Sequence, residues 1–201
     1  LTKNGSGMLV LAGLGSYSGG TLLNSGLLGI GQGSLGSGNL TMGTAGLVAY
    51  ENASLAGLPQ VAVSANQTAT FATEAGTTLT INPAGFALGN NSALVIGGGS
   101  YTGTVVFAPD SLIMAGNVTS VTLQGGNLTA TNGRLGDLTA AAGSTIVAAG
   151  TTLDFQDHLA TGGIQALHGA GTVNIGSNTT TTLTVNSGNF TGRISGAGGL
   201  S

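Results

Sequence analysis

The densest cluster of side chains that could do chemistry is the segment "LDFQDH", residues 153–158. If this segment is a strand, Asp154, Gln156 and His158 share one face, with Asp157 on the other. Carboxylates beside a histidine can serve acid–base catalysis or hold a metal ion. His168 follows about half a coil later, but the spacing is loose and no further carboxylate is near. We therefore expect a solvated corner, with no catalytic residue, metal or cofactor.

The charged residues are too few and too scattered to form a catalytic groove. Enzymes that cleave glycans need acidic residues, or acidic with basic ones, gathered in one groove. This chain of 201 residues has six acidic and three basic residues, spread over its length. We expect no enzyme. Three basic residues also give no surface for nucleic acid or for an anionic membrane.

Glycine-rich and threonine-rich runs are attributed to turns and strands. "GLGSYSGG" and "GIGQGSLGSG" lack the Lys-Ser/Thr ending and the helix of a phosphate-binding loop. "GGGSYTG", residues 97–103, lacks the aspartate of calcium-binding repeats. Threonine tracts such as "TTTTLTV" do not recur at one coil spacing. A regular array of threonines that could bind ice is therefore not expected.

The composition predicts a folded, all-β chain. Disordered chains are poor in apolar residues and rich in net charge, whereas this chain is 41% hydrophobic with a net charge of −3. Its 39 glycines disfavour helices, since each costs a helix roughly 1 kcal/mol. There is no cysteine. No run of ~20 apolar residues is present, so we expect no membrane insertion.

Short β-type runs recur along the chain, many with alternating polar and apolar residues. Examples are "TLTI" at 78–81, "TVVF" at 104–107, "SLIM" at 111–114 and "TVNI" at 172–175. A sandwich and a solenoid both use many short strands, but the close, even spacing favours the solenoid. We predict one β-solenoid domain over 1–201, a parallel β-helix of about ten coils of roughly 20 residues each.

The two ends of the chain carry a family resemblance. Residues 1–28, beginning "LTKNGSGMLVLAGLGSYSGGT", resemble the autotransporter-associated β-strand repeat, and residues 187–201 resemble the stretch that leads into such a repeat. The resemblance implies a right-handed parallel β-helix from an autotransporter passenger domain. It also implies an extracellular or outer-membrane-surface location on a Gram-negative bacterium. We expect a passenger segment, or a chain released from its precursor. The residues that match the repeat are Leu1, Lys3, Gly5, Gly7, Leu9, Leu11, Gly13, Tyr17, Gly19, Gly20 and Thr21.

The ends are also the predicted functional site. A bare end of a β-helix is a set of unpaired strand edges, which natural proteins usually block. The sequence shows no capping helix at either end, so residues 1–28 and 187–201 are expected to be docking coils. Head-to-tail stacking that does not close into a ring gives a filament. We therefore predict a rigid extracellular fibre or surface scaffold; the alternative is an adhesin that binds cell-surface or matrix ligands along its flank. The predicted interface residues are Leu1, Lys3, Leu9, Leu11, Phe190, Ile194 and Leu200.

Overall fold

The β-branched runs of the sequence form short parallel strands that wind into a β-solenoid. The computed structural model describes residues 1–159 and 163–201. The first strands are β1 (Thr2–Lys3), β2 (Met8–Leu11), β3 (Thr21–Ile30), β4 (Leu40–Ala49), β5 (Ala53–Ser54), β6 (Gln60–Val63), β7 (Thr68–Thr73), β8 (Thr78–Ile81), β9 (Gly85–Leu88), β10 (Ser92–Ile96) and β11 (Thr104–Phe107). The remaining elements are β12 (Ser111–Met114), β13 (Val118–Leu123), β14 (Asn127–Ala130), α1 (Arg134–Ala141), β15 (Ala142–Val147), β16 (Thr152–Asp154), β17 (Leu167–Gly169), β18 (Thr172–Asn174), β19 (Thr182–Leu183), β20 (Gly188–Phe190), β21 (Arg193–Ser195) and β22 (Gly199–Leu200).

The strands stack into three faces, named here in the order in which the chain visits them. Face 1 contains β1, the first halves of β3 and β4, then β6, β9 and β12. Face 2 contains β2, the second halves of β3 and β4, then β7, β10, β13, β15, β17 and β20. Face 3 runs from β5 through β8, β11, β14, β16 and β18 to β21, and β19 pairs with β22 in a separate sheet.

The solenoid has about eight turns, so the predicted ten coils are an overcount. In the first turns Leu9 pairs with Leu28. In the middle of the solenoid Ala93 pairs with Ser120, and these two residues are further apart in the sequence. The middle turns are longer because their corners carry extra residues. One example is the loop 97–103 between β10 and β11, which a bridge between Gly98 and Tyr101 closes. The all-β, parallel solenoid class is confirmed.

Inward-facing side chains stack into continuous columns between the three faces. Because side chains alternate along a strand, every second residue of each rung enters the core. One column on face 2 passes through all nine of its levels, although its eighth member, a glycine, contributes backbone and no side chain: Leu9, Leu28, Leu47, Phe71, Ile96, Leu123, Val147, Gly169 and Phe190. One contiguous cluster of buried apolar residues joins these columns and forms the core.

Within residues 1–159 and 163–201, one helix interrupts the strands, although the glycine-rich composition disfavours helices. Helix α1 lies between β14 and β15 and packs against β12, where the strand ladder of face 1 ends. Leu135 and Leu138 are buried on one side of it. The side chain of Asn132 accepts a hydrogen bond from the backbone N–H of Arg134 at 3.0 Å, and Arg134 pairs with Asp137 at 3.3 Å. Within the described ranges, no helix is long and apolar enough to cross a membrane.

Candidate end-to-end interface

The N-terminal rung leaves an unpaired edge over the core. Within the described residues, β1 and β2 pair only with β3. Leu9 and Leu11 continue the inward positions of Leu28 and Ile30, which are at most 1% exposed. Leu9 is 36% exposed because no rung lies over it, and Leu1 is 42% exposed. The predicted interface residues Leu1, Leu9 and Leu11 are therefore brought together at this end.

Lys3 belongs to the same end, but its charge is held inside the chain. The side chain is only 8% exposed. Its ammonium Nζ donates to the carbonyl oxygens of Gly5 at 2.7 Å and of Asn4 and Ser25 at 3.2 Å. The aliphatic stem lies above Leu23 at the end of a face 1 column that is otherwise apolar. Lys3 therefore closes this column and offers little free charge to a partner.

The C-terminal rung exposes the other end of the core. Strands β20, β21 and β22 each pair on one side only in the described part of the chain. Phe190 and Ile194 are partly buried at the ends of their columns, and Leu200 is 60% exposed. An open recess of about 420 Å³ lies among these side chains. Its walls are Leu167, Val185, Ser187, Gly188, Phe190, Ile194, Leu200 and Ser201.

The two ends correspond best on face 2. Leu9 begins the column that Phe190 ends, so a second copy placed on the C-terminal rung would continue this column. Face 3 begins only at β5, so Ile194 has no counterpart strand in the first rung. Residues 1–20 and 182–201 contain no acidic side chain, and their charged side chains are Lys3 and Arg193. An end-on contact is therefore not opposed by pairs of carboxylates.

An apolar rim beside the N-terminal end was not expected from the sequence. Met8 and Val10 point outward from β2 and are 47% and 49% exposed, and Leu14 is 85% exposed. An open hollow of about 440 Å³ runs along residues 10–17. A signal for this rim was nevertheless present, because "MLVL" is apolar at every position and does not alternate.

The "LDFQDH" cluster does not assemble as a strand face. Strand β16 ends at Asp154, and Phe155 enters the core. Gln156 and Asp157 then adopt positive φ angles of 46° and 67°, which turn the chain. The alternative in which Asp154, Gln156 and His158 share one strand face is therefore not what the chain forms; it turns a corner here, as expected.

The carboxylates at this corner bind the next rung. Asp154 accepts a hydrogen bond from the Asn174 side chain at 3.0 Å, and Asp157 accepts one from the Asn178 backbone N–H at 2.7 Å. His168 lies on β17, where its Nδ1 accepts from the backbone of Asn189 at 3.3 Å. Across residues 1–159 and 163–201, no three His, Cys, Asp or Glu side chains are grouped to hold a metal ion.

Comparisons of the chain with protein-family models, with curated proteins and with solved structures found no match. The function is therefore inferred from the geometry of the solenoid and its ends.

Proposed function

We propose that this chain is a structural rod whose copies stack head to tail into a rigid extracellular fibre or surface scaffold. The observation that carries the proposal is the match between the two ends on face 2. Leu9 and Phe190 are the terminal members of one apolar column, and each lies on an unpaired parallel strand edge. The proposed occupant of each end is a second copy of the chain.

Head-to-tail stacking fits the chemistry of both ends. The strand pairs of face 2 are parallel, so a second copy in the same orientation can continue the hydrogen-bonding pattern of this face from β20 to β2. Placing Leu9 of one copy over Phe190 of another removes apolar surface from water, at roughly 25 cal/mol for each Å² buried. Such a contact is heterologous, and when it does not close into a ring it produces a filament.

The location and the alternative function rest on the resemblance of the two ends to autotransporter passenger repeats. On that basis the rod belongs outside a Gram-negative cell, either released or at the outer-membrane surface. The alternative is an adhesin passenger that binds cell-surface or matrix ligands along its flank. An adhesin would not self-associate through its ends. The experiment on self-association described next therefore separates the two functions.

The first experiment is electron microscopy of the purified, untagged chain over a range of concentrations. With nine face 2 levels per copy at ~4.8 Å each, filaments should show an axial repeat of roughly 43 Å. Light scattering should show growth that rises with concentration. Isolated short rods at every concentration would contradict head-to-tail stacking and favour the adhesin.

Two end variants make the test directional. Leu9→Asp places a carboxylate on the N-terminal edge, and Phe190→Asp places one on the C-terminal edge. Because each variant keeps one intact end, small amounts of either should shorten wild-type filaments by terminating growth. A mixture of the two variants should give dimers and nothing longer.

Ile113→Asp is the matched control, because Ile113 is an apolar side chain on the flank with 52% exposure. This variant should form filaments of wild-type length. If it shortens filaments as the end variants do, the contact is not end-on. Circular dichroism of all three variants verifies that each remains folded.

A further inference from the structure

Strand β22 lies where a stacked second copy would have to place its own first strand. Along the chain, β19 leads into β20 on face 2, as β1 leads into β2. Strand β22 pairs with β19 in parallel, with Gly199 opposite Thr182 and Leu200 opposite Leu183. If β2 of a second copy lay on β20, as the proposed stacking requires, β1 of that copy would meet β22 on the edge of β19.

The first turn gives the register in which a second copy would dock. Lys3 lies over Leu23, and Leu9 lies over the residue five positions after Leu23. At the other end of the solenoid, the residue five positions before Phe190 is Val185. A copy that places its Leu9 over Phe190 therefore places its Lys3 over Val185.

This register assigns the first two residues of the docked copy to positions that are already filled. Leu1 of the copy would lie over Leu183, where Leu200 lies. Thr2 of the copy would lie at the next position along the strand, where Ser201 lies. One leucine corresponds to another, and one small hydroxyl residue corresponds to another, so β22 presents the side chains that β1 would bring.

Strand β22 is held on β19 by few contacts. The backbone N–H of Ser201 donates to the Leu183 carbonyl at 3.0 Å, and the Ser201 carbonyl accepts from the Val185 N–H at 2.9 Å. Leu200 is 60% exposed, and within the described part of the chain this two-residue strand pairs only with β19. Because Thr2 of a docked copy would offer the same backbone groups to the same partners, exchanging the strands loses no pairing on β19.

The open recess at the C-terminal end adjoins the place where β22 stops. Its walls include Ser201, Val185 and Phe190. Val185 and Phe190 are the residues over which Lys3 and Leu9 of a docked copy would lie. A segment that runs over β19 and continues over β20 therefore fills this recess, and the strand already on β19 blocks its entry.

We infer that the edge of β19 is the binding site for β1 of a second copy, and that β22 must leave this edge before the copy docks. The site serves the proposed head-to-tail stacking, on which this inference rests. A short corner, residues 4–7, joins β1 to β2. A copy that docked while β22 stayed in place would therefore have to separate its own β1 from β3, and with it the buried Lys3 side chain.

The test fixes β22 on β19 in the full chain and measures filament formation. The hydroxyl oxygens of Thr184 and Ser201 lie 3.0 Å apart, so cysteines at these positions can form a disulfide, and the chain has no other cysteine. The double variant Thr184→Cys, Ser201→Cys should form no filaments when oxidised and filaments of wild-type length when reduced. The double variant Thr78→Cys, Thr104→Cys is the matched control, because these positions pair on adjacent rungs of the flank. Its filaments should be the same in both states.

A second readout does not require filaments. A fluorescent peptide of residues 1–11 should bind the reduced Thr184→Cys, Ser201→Cys variant roughly tenfold more tightly than the oxidised one, since main-chain pairing gives affinity when a strand adds to an edge. Fluorescence anisotropy measures this binding. A peptide with the same residues in scrambled order is the control and should bind neither state.

The outcomes separate this inference from the proposed function. Filaments that form equally well in the oxidised and the reduced variant would overturn the exchange and leave head-to-tail stacking in place. Peptide binding confined to the reduced variant, without filaments under any condition, would support the binding site for β1 and contradict the fibre. Without filaments, a peptide that binds both states equally, or neither, would overturn the inference as well.

Discussion

Leu9 and Phe190 are the first and last members of one apolar column that passes through every level of face 2. Between them, a residue such as Phe71 has a rung on either side and is fully buried. Leu9 has a rung on one side only and remains 36% exposed. The end of the solenoid therefore exposes residues of the core to solvent. Substitutions in the core, at the ends and at the corners should differ in their effects on stability and on self-association.

The core depends on aromatic contacts near the middle of the solenoid. The ring of Phe86 lies 5.9 Å from that of Phe71 and 5.1 Å from that of Phe107, and all three are buried. Phe86→Ala should lower the free energy of unfolding by about 3–5 kcal/mol, because it removes buried surface and leaves a cavity. Urea denaturation measures this change. Ile113→Ala, at an exposed site, should change it by less than about 0.5 kcal/mol, and similar effects of the two would contradict the assignment of the core.

The buried ammonium of Lys3 should stabilise the first rung. Lys3→Met keeps most of the stem but removes the donor from three carbonyl oxygens, which costs about 1–3 kcal/mol when such groups stay unsatisfied. The amides of Leu22 and Leu27 donate to the first rung and should exchange with deuterium faster in the variant. Arg193→Met removes an exposed charge at the other end and should leave these amides unchanged. Unaltered exchange in Lys3→Met would contradict this role.

Gly26 is required at the corner inside β3. Its φ is +73°, and a Cβ there would lie 2.4 Å from the Gly5 carbonyl oxygen and 2.8 Å from Lys3 Nζ. Gly26→Ala should therefore lower the melting temperature, since the left-handed conformation alone costs about 1–2 kcal/mol. Gly57→Ala is the control, because nothing lies within 4 Å of its added Cβ. Equal melting temperatures for the two variants would show that the first corner can rearrange.

We expect Asp157 to stabilise the fold and not to take part in catalysis. Its carboxylate accepts from the Asn178 backbone at 2.7 Å and the Ser177 hydroxyl at 3.1 Å. Asp157→Ala removes both bonds and the tolerance of aspartate for positive φ, so the unfolding free energy should fall by about 1–2 kcal/mol. Glu74→Ala deletes a carboxylate without a side-chain partner in the described structure and should be nearly neutral. If neither variant changes the free energy of unfolding, Asp157 does not stabilise the corner.

Limited trypsin digestion should show which end of the chain is accessible to protease. Of the three basic residues, Lys3 is buried and Arg134 begins α1, whereas Arg193 is exposed on the terminal strand β21. Mass spectrometry should therefore detect the first cut after Arg193. Under conditions that give filaments, a copy docked on the neighbouring strand β20 should hinder the access of trypsin to Arg193 and slow this cut. First cleavage after Lys3 would contradict the burial of its side chain.

Strand positions could be predicted well where apolar and polar residues alternate. Strands β8, β11 and β12 occupy the predicted residues 78–81, 104–107 and 111–114. Alternation fixes which side chains face inward, since one face of each strand must be buried. In the segment 153–158 it holds as far as Phe155, which is buried like Leu153, and it fails after that because the chain turns at Gln156. That turn depends on the position of the next rung, which a short pattern does not contain.

Composition and alternation were enough to establish the class of the protein, because a nearly uncharged, glycine-rich chain with many short alternating strands favours an all-β stack. Which strand lies above which emerged only from the folded chain, since corners of different length change the separation of paired residues. The paired residues Thr182 and Gly199 are close together in the sequence, whereas the paired residues Ala93 and Ser120 are further apart in it. The register in turn set the number of turns and aligned Thr78 with Thr104. The physical reason is that backbone hydrogen bonds and core columns fix the rungs, while the corners are free to vary in length.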